Sequence, residues 1–219
     1  MAYILNIETA TKNCSVCVAK NGVAVSLKEY AGEGYAHAEK LHVFIDEALR
    51  EAGIDYKSLD AVAVSMGPGS YTGLRIGVSA AKGLCYALSL PLIAIDTLEL
   101  LARRIEITEG LIVPMIDARR MEAYTAVFDA GYHKLRETKA EIITEGPFNE
   151  IEGTLHLVGD GAEKCRPVLN SDRFVYHEAI VYPSSAEMAL VSYNKYKISD
   201  TVDVAYFEPF YLKDFLISK

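Results

Sequence analysis

A glycine-rich segment is the part of this sequence whose residue types could bind a ligand. Gly67-Pro68-Gly69-Ser70 lies between a short apolar run and a helical stretch that begins near Thr72. A loop that leads from a strand into a helix directs free backbone N–H groups toward a bound anion. Its spacing fits neither a Walker A loop nor a dinucleotide-binding loop, and Pro68 removes one donor, so a tight turn is the alternative. The candidate residues for an anion or nucleotide loop are Gly67, Gly69, Ser70 and Thr72.

Two acidic residues stand where an apolar run ends in a turn. Glu8 follows Ile7, and Asp117 follows Ile116 and comes shortly before Arg119. Two such turns, facing each other across a cleft, hold the nucleotide in the superfamily of actin and the sugar kinases. Those turns contain glycine, which lets backbone N–H groups approach phosphate, and neither turn here has one. Glu8, Asp117 and Arg119 are candidates for a nucleotide site, and the alternative is that both acids only complete turns.

The histidines show no spacing suited to a metal ion. Two ligands on one helix face are best placed four residues apart. His37 and His42 are five apart, which separates them by about 140° around a helix. The other histidines, His133, His156 and His177, are scattered along the chain. We therefore expect no metal site.

The four cysteines are best explained as small buried side chains. Cys14 and Cys17 form a C-x-x-C pattern inside a run that is typical of a strand, where residues three apart point to opposite faces. Cys85 and Cys165 each stand alone, so a zinc site lacks its second pair. Neither a redox motif nor a disulfide scaffold is expected.

Composition and charge exclude several classes of protein. The 219 residues are 51% hydrophobic and 24% charged, with a net charge of −8, which is ordinary for a globular protein. This acidic balance argues against a free-standing nucleic-acid binder. The first residues carry no basic leader, and no uninterrupted apolar run is long enough for a membrane span. We expect a cytoplasmic protein without a membrane partner.

Two halves of the chain carry a similar succession of predicted elements. The first has strands over 3–10, 13–20 and 23–30, a helix over 37–52, a strand over 60–66, a helix over 72–88, a strand over 92–95 and a helix over 97–107. The second has strands over 111–117, 122–128, 132–143 and 155–159 and helices near 162–169 and 185–196. We interpret this as the order β-β-β-α-β-α occurring twice, in two α/β lobes formed by residues 1–105 and 106–219.

Two helices of the first lobe have more apolar surface than packing on one sheet requires. The apolar arc of the helix over 72–88 covers roughly 200°, where a surface helix needs about 100°. Its small residues would let another backbone approach closely. Either the two helices pack on each other and on the sheet, or they present a face to another protein. The predicted partner interface is Ala38, Leu41, His42, Ile45, Leu49, Gly73, Gly77, Ala80, Ala81 and Leu84.

The segment from Met66 to Gly77 resembles the most distinctive motif of the bacterial TsaB (YeaZ) family. Other segments that resemble this family are 4–11 with 14–16, 34–39, 116–124 and 209–213. The resemblance therefore spans almost the whole chain. It implies the two-lobed actin-like fold of the ASKHA and ribonuclease H-like type, in agreement with the duplicated order of elements.

The resemblance also implies a function and partners. TsaB-like proteins are paralogues of the catalytic subunit TsaD, pair with it through their two N-terminal helices, and help to form N6-threonylcarbamoyladenosine beside the anticodon of tRNAs that read codons beginning with A. The ATPase TsaE docks on that pair, and TsaC or a related enzyme supplies the threonylcarbamoyl adenylate. The chain would be a non-catalytic subunit without an intrinsic cofactor. It would meet ATP or ADP and tRNA only within the complex, and would form a homodimer when alone.

Some residues depart from the family pattern, and other functions are alternatives. Glu8 stands where Asp is more usual, and His42-Val43 stands where a Leu-Pro-like pair is common. The catalytic paralogue carries an H-x-x-x-H metal motif that this sequence lacks. The alternatives are an ATP-dependent phosphotransferase, disfavoured by the glycine-free turns, and a glycoprotease-like metallopeptidase, disfavoured by the missing histidine pair.

Overall fold

Two five-stranded mixed sheets with the same strand order form the framework of the protein. The computed structural model describes residues 1–32, 37–144, 146 and 148–213. The first sheet has the order β3-β2-β1-β4-β5. Its strands are β1 (Tyr3–Glu8), β2 (Cys14–Lys20), β3 (Val23–Tyr30), β4 (Ala61–Gly67) and β5 (Leu92–Asp96). Strands β1, β2 and β3 are antiparallel neighbours, while β4 runs parallel to β1 and to β5.

The second sheet repeats this arrangement strand for strand. Its order is β10-β9-β6-β7-β8, with β6, β7 and β8 antiparallel and β9 parallel to β6 and to β10. Its strands are β6 (Leu111–Asp117), β7 (Glu122–Phe128), β8 (Lys134–Ile142), β9 (Leu155–Val158) and β10 (Phe174–Tyr176). The predicted duplication is therefore confirmed at the level of sheet topology.

Five α-helices accompany the sheets in the described part of the chain. They are α1 (His37–Glu51), α2 (Tyr71–Leu88), α3 (Thr97–Ala102), α4 (Asp160–Glu163) and α5 (Met188–Lys197), with a short 3₁₀ turn at Tyr56–Ser58. The core of the first sheet lies beneath α1 and α2, where Leu5, Ile7 and Val64 pack with Leu41 and Ile45. No helix of the described residues is long and apolar enough to cross a membrane.

Local sequence explains several boundaries that were predicted. Asn21 and Gly22 join β2 to β3 with φ angles of 51° and 85°, the left-handed pair that a tight hairpin requires. Gly53 (φ 69°) follows the end of α1 and donates its N–H to the carbonyl of Arg50. The Ser70 side chain caps α2. The family resemblance over Gly34–Ala36 lies outside the described residues.

The predicted lobe boundary needs a correction. The chain divides into a first unit, Met1–Thr97 with Ser184–Phe210, and a second unit, Leu98–Pro183 with the chain from Tyr211 on. The last helix, predicted in the second lobe, therefore belongs to the first. The reason is a buried polar contact, because the Ser185 N–H donates to Ser15 Oγ over 3.0 Å and the Ser184 hydroxyl donates to Glu29 over 2.7 Å.

The second half also departs from the predicted order of elements. In the residues described between β8 and β9 there is no helix, so the β-β-β-α-β-α order does not occur in the second unit. The helix predicted over 162–169 is only α4, followed by turns. Pro167, which has no N–H to donate, interrupts the segment that would extend it. Strand β10 was not predicted.

Candidate functional site

The glycine-rich loop and the start of α2 pack directly on the β1–β2 turn of the same unit. A Cβ atom on Gly69 would lie 2.4 Å from the carbonyl oxygen of Ala10. On Gly73 it would lie 2.1 Å from the carbonyl oxygen of Thr9, and on Gly77 it would lie 2.2 Å from Thr9 Oγ1. Glycine is required here because the two segments approach more closely than any side chain allows.

Hydrogen bonds within the protein use the donors that an anion would need. The Gly67 N–H donates to Thr97 Oγ1 over 3.1 Å. The Ser70 N–H donates to the carbonyl of Ala10 over 2.6 Å. The Gly73 N–H donates to Ser70 Oγ over 3.3 Å, the capping bond of α2. The loop therefore fastens α2 to the turn, and these three N–H groups are not available to phosphate.

Glu8 is enclosed beside this turn. Its side chain is fully buried, and its Oε1 accepts the N–H of Ala10 over 2.5 Å. Burial raises the pKa of Glu8 to about 7, and the Ala10 N–H and the Ser65 hydroxyl oppose that rise only in part. The raised pKa favours the neutral carboxyl over the carboxylate, and full burial keeps the group away from an outside ligand.

His37 ties α1 to the same turn. The imidazole is buried, and its Nε2 lies 2.8 Å from the carbonyl oxygen of Thr11. Because a carbonyl oxygen only accepts, this nitrogen carries the proton. Burial also lowers the pKa of His37, which keeps the ring neutral. The carbonyls of Thr9, Ala10 and Thr11 are therefore all in contact with α1, α2 or the glycine loop.

The residues predicted for the nucleotide loop divide between the two units. Glu8, Gly67, Gly69, Ser70 and Thr72 belong to the first, where Thr72 is exposed on α2. Asp117 and Arg119 belong to the second. The first group is brought together by the structure, but as a packed turn and not as an open anion site.

The second-unit turn is held by its own polar contacts. Asp117 Oδ1 accepts the Arg119 N–H over 2.8 Å and forms an ion pair with Lys164, and the Asp117 N–H donates to Asp160 over 2.9 Å. Arg119 and Arg120 have φ angles of 71° and 51°, a left-handed backbone that non-glycine residues rarely adopt. Both arginine side chains are exposed, so this turn presents two guanidinium groups to solvent.

The predicted partner interface is only partly on the surface. Of the ten residues, those buried in the first unit are Leu41, Ile45, Leu49, Gly73, Gly77 and Ala81. Ala80 and Leu84 are half-buried, and Ala38 and His42 are exposed. The small residues near the start of α2 are not a surface for a partner protein, because the β1–β2 turn packs against them. These six residues pack within the first unit, which is the alternative that the sequence left open.

The segment over 202–207 is joined to α2 and packs on the core of the first unit. Val202 and Phe207 pack on the same cluster as Ala80 and Leu84. Lys82 fixes this segment by donating to the carbonyls of Ala205 and Phe207 over 3.1 and 2.9 Å. Part of the surplus apolar arc seen in the sequence is therefore used for packing within the first unit.

Sequence reasoning missed one pair of polar residues. Nδ1 of His156 lies 3.0 Å from Nε2 of His177, although the two are far apart in sequence. Burial, and secondarily the neighbouring His156, lower the pKa of His177. Only the parallel pairing of β9 with β10 would have indicated this contact. That pairing places Tyr176 beside Leu157 and so brings the adjacent histidines together.

The cysteines are small buried side chains, as predicted. All four cysteines are free and buried. Burial raises the pKa of Cys14 to about 11 and that of Cys17 to about 12, so both are thiols and not thiolates at neutral pH. Within the described ranges, no three His, Cys, Asp or Glu side chains are grouped to hold a metal ion.

Comparison with known proteins identifies the family. A family described as "TsaD: tRNA N6-adenosine threonylcarbamoyltransferase" matches residues 33–165. The chain is 28% identical to the tRNA threonylcarbamoyladenosine biosynthesis protein TsaB of Escherichia coli, over 96% of this chain and 94% of that protein. It is 31% identical to the protein of the same name from Buchnera aphidicola, over 84% of this chain and 90% of that protein. The chain belongs to the TsaB (YeaZ) family.

The similarity of this TsaB-family chain to the transferases is more limited in extent. It is 38% identical to the tRNA N6-adenosine threonylcarbamoyltransferase of Geobacillus kaustophilus, over 42% of this chain and 32% of that protein. TsaB-family chains are thus paralogues of TsaD. This one belongs to a family of tRNA threonylcarbamoyladenosine biosynthesis proteins.

Solved structures confirm the fold of this TsaB-family chain. YeaZ from Pseudomonas aeruginosa matches with a TM-score of 0.82 at 24% identity, over 97% of this chain and 100% of that chain. The activator of the 2-hydroxyisocaproyl-CoA dehydratase from Clostridium difficile matches with a TM-score of 0.51 at 10% identity, over 90% of this chain and 97% of that chain. The predicted actin-like ASKHA fold is confirmed, and at these identities the likeness shows the fold alone.

Proposed function

We propose that this chain is a non-catalytic partner subunit of a TsaD-type threonylcarbamoyltransferase. In this role it supports the formation of N6-threonylcarbamoyladenosine next to the anticodon of tRNAs that read codons beginning with A. The catalytic chemistry belongs to the TsaD-type subunit, and tRNA is held by the complex.

The observation that carries the proposal is the packing of the β1–β2 turn. In an actin-like enzyme this turn must leave backbone donors open to phosphate. Here the Ala10 N–H donates to Glu8, Ser70 donates to the carbonyl of Ala10, and Gly73 lies against Thr9. Glu8 is buried and near its pKa at neutral pH. A turn that is filled in this way favours a binding role over phosphoryl transfer.

The partner surface is the outer face of α1 and α2. Val43 is 51% exposed and Tyr86 is 85% exposed, so both side chains are open to a partner. Around Gly83 an added Cβ would meet nothing within 4 Å, so a second backbone could approach there. We define the docking face as Ala38, His42, Val43, Ser79, Gly83 and Tyr86. Tyrosine is enriched among the residues that dominate binding energy.

The family resemblance implies further partners. A TsaE-like ATPase joins the pair, and ATP or ADP is bound within that assembly and not by this chain alone. Without its paralogue, the chain covers the docking face by forming a two-fold homodimer. Homodimer and heterodimer then exclude each other, because they use one surface.

Reconstitution tests the proposal. Purified TsaD-like, TsaE-like and TsaC-like proteins of the same organism are incubated with tRNA, threonine, bicarbonate and ATP, with and without this chain. Modified adenosine is expected only when the chain is present, and the chain alone is expected to hydrolyse no ATP. Equal modification without the chain, or robust ATP turnover by the isolated chain, would overturn the proposal.

A further inference from the structure

Two histidine rings of the second unit lie side by side with their nitrogens facing each other. His156 belongs to β9, and His177 directly follows β10. The backbone fixes this placement, because the His177 N–H donates to the carbonyl of Leu157 over 3.0 Å. Nδ1 of His156 and Nε2 of His177 are 3.0 Å apart, and the ring centroids are 5.2 Å apart with an interplanar angle of 39°.

We propose that His156 and His177 form a two-imidazole binding site for a divalent transition-metal ion such as Zn²⁺ or Ni²⁺. Imidazole nitrogens bind Zn²⁺ at about 2.0–2.1 Å. Two such ligands at an angle of about 90–110° are therefore separated by roughly 2.9–3.4 Å. The observed nitrogen separation of 3.0 Å falls within that span. A modest rotation of the rings converts a shared hydrogen bond into a chelate.

The surroundings leave room for the rest of the coordination shell. His177 lines a cavity of 340 Å³, and the same cavity is lined by Asp160, Glu163 and Glu178. Water completes the shell of an ion that has two protein ligands. Glu163 and Glu178 are paired with Arg166, and Asp160 accepts the Asp117 N–H, so the two imidazoles are the protein ligands. Imidazole selects zinc, nickel or copper over Mg²⁺, which prefers oxygen ligands.

The other potential soft ligands of the chain do not compete. All five histidines and four cysteines of the sequence lie among the described residues. The cysteines are buried thiols, and His37 is buried with its Nε2 on the carbonyl of Thr11. His42 has no second histidine four residues away on α1. His133 lies 3.0 Å from the carboxylate of Asp129, so the His133→Gln variant measures any binding at that pair. Metal binding should therefore report on the paired rings.

Calorimetric titration of the full chain with ZnCl₂, NiCl₂ and MgCl₂ at pH 7.5 tests the proposal. Wild type is expected to bind one equivalent of Zn²⁺ or Ni²⁺ and no Mg²⁺. His156→Gln and His177→Gln should each weaken binding by more than about tenfold, because loss of a ligand costs at least as much as loss of an outer-shell partner. His42→Gln and His133→Gln are matched controls and should bind as wild type does.

A second readout does not depend on how the variants fold. The imidazole NMR signals of His156 and His177 in the wild-type chain should shift together on addition of one equivalent of Zn²⁺, while those of His42 stay in place. Binding that is absent, or equally strong in all four variants, would overturn the proposal. Unmoved signals of the paired rings would do the same, and the two histidines would then only share a hydrogen bond.

Discussion

Thr9 both hydrogen-bonds to Gly73 and lies too close to it for any side chain at that position. The Thr9 hydroxyl donates to the carbonyl of Gly73 over 2.8 Å, and a Cβ atom on Gly73 would lie 2.1 Å from the Thr9 carbonyl oxygen. The first contact fixes the start of α2 on the β1–β2 turn, and the second forbids any side chain at that position. A turn that could have met phosphate is instead a packing surface within the first unit.

Alanine substitutions along α2 test this packing. Gly73→Ala should lower the free energy of unfolding by about 1–3 kcal/mol, because backbone must move to relieve the overlap. Gly77→Ala should cost less, since it overlaps only the Thr9 hydroxyl, which can rotate away at the loss of its hydrogen bond to Gly73. Gly83→Ala is the matched control, where a Cβ meets open space and helix propensity favours alanine by up to about 1 kcal/mol. Denaturant unfolding of the three variants gives the ranking, and equal stability of all three would contradict the packing described.

Glu8→Gln should change how stability depends on pH. The folded-state pKa of Glu8 is raised to about 7 from an ordinary value of 4.5. Below pH 4.5 the Glu8 carboxyl is protonated in both the folded and the unfolded chain. As pH rises from there to about 7, only the unfolded chain loses this proton readily, so the folded state is progressively disfavoured. The variant avoids this loss, so its stability relative to wild type should grow by up to about 3 kcal/mol between pH 4.5 and 8. Urea unfolding across that range measures it, and a constant difference would show that Glu8 ionises normally.

Much of the fold could be predicted because it depends on local patterns. The Asn21-Gly22 hairpin, the C-terminal glycine of α1 and the alternation of apolar runs with helices are all short-range signals. The two-lobed actin-like fold followed from the duplicated succession of elements and from the family resemblance. The glycine loop and both acidic turns were chosen as candidate site residues from residue types and spacing.

The role of those residues could not be predicted, because it depends on contacts between distant segments. A helical wheel shows that Gly73 and Gly77 share a face, but not that Thr9 occupies the space beside them. Likewise, the return of Val202–Phe207 to α2 and the meeting of His156 with His177 require the tertiary fold. Contacts between residues that are far apart in the sequence cannot be inferred unless the pairing of the strands is known.

Lys82→Met should loosen the C-terminal segment. The ammonium group donates to the carbonyls of Ala205 and Phe207, and hydrogen bonds from charged donors contribute about 1–2 kcal/mol at a half-buried site. The amides near Phe207 should exchange hydrogen faster in the variant, as measured by mass spectrometry. Lys12→Met removes an exposed lysine elsewhere and should leave exchange unchanged. Unaltered exchange in Lys82→Met would mean that apolar packing alone holds the segment.

The isolated chain should bind tRNA weakly. With a net charge of −8 it displaces few counterions from phosphate, so any affinity should collapse between low and physiological salt. Filter binding or fluorescence anisotropy with labelled tRNA at two salt concentrations measures this. Tight and salt-tolerant binding by the isolated chain would contradict the argument from its charge.

The most direct test of the central claim is the affinity of this chain for its TsaD-like paralogue. Sedimentation of the mixture should show a one-to-one heterodimer that displaces the homodimer. Gly83→Leu should weaken the affinity of the heterodimer by about tenfold to a hundredfold, since a large side chain inserted into a close contact costs roughly 1–3 kcal/mol. Ala24→Leu, an exposed change on β3, should have no effect. A heterodimer that Gly83→Leu leaves intact would place the partner surface elsewhere, and no heterodimer at all would contradict the account.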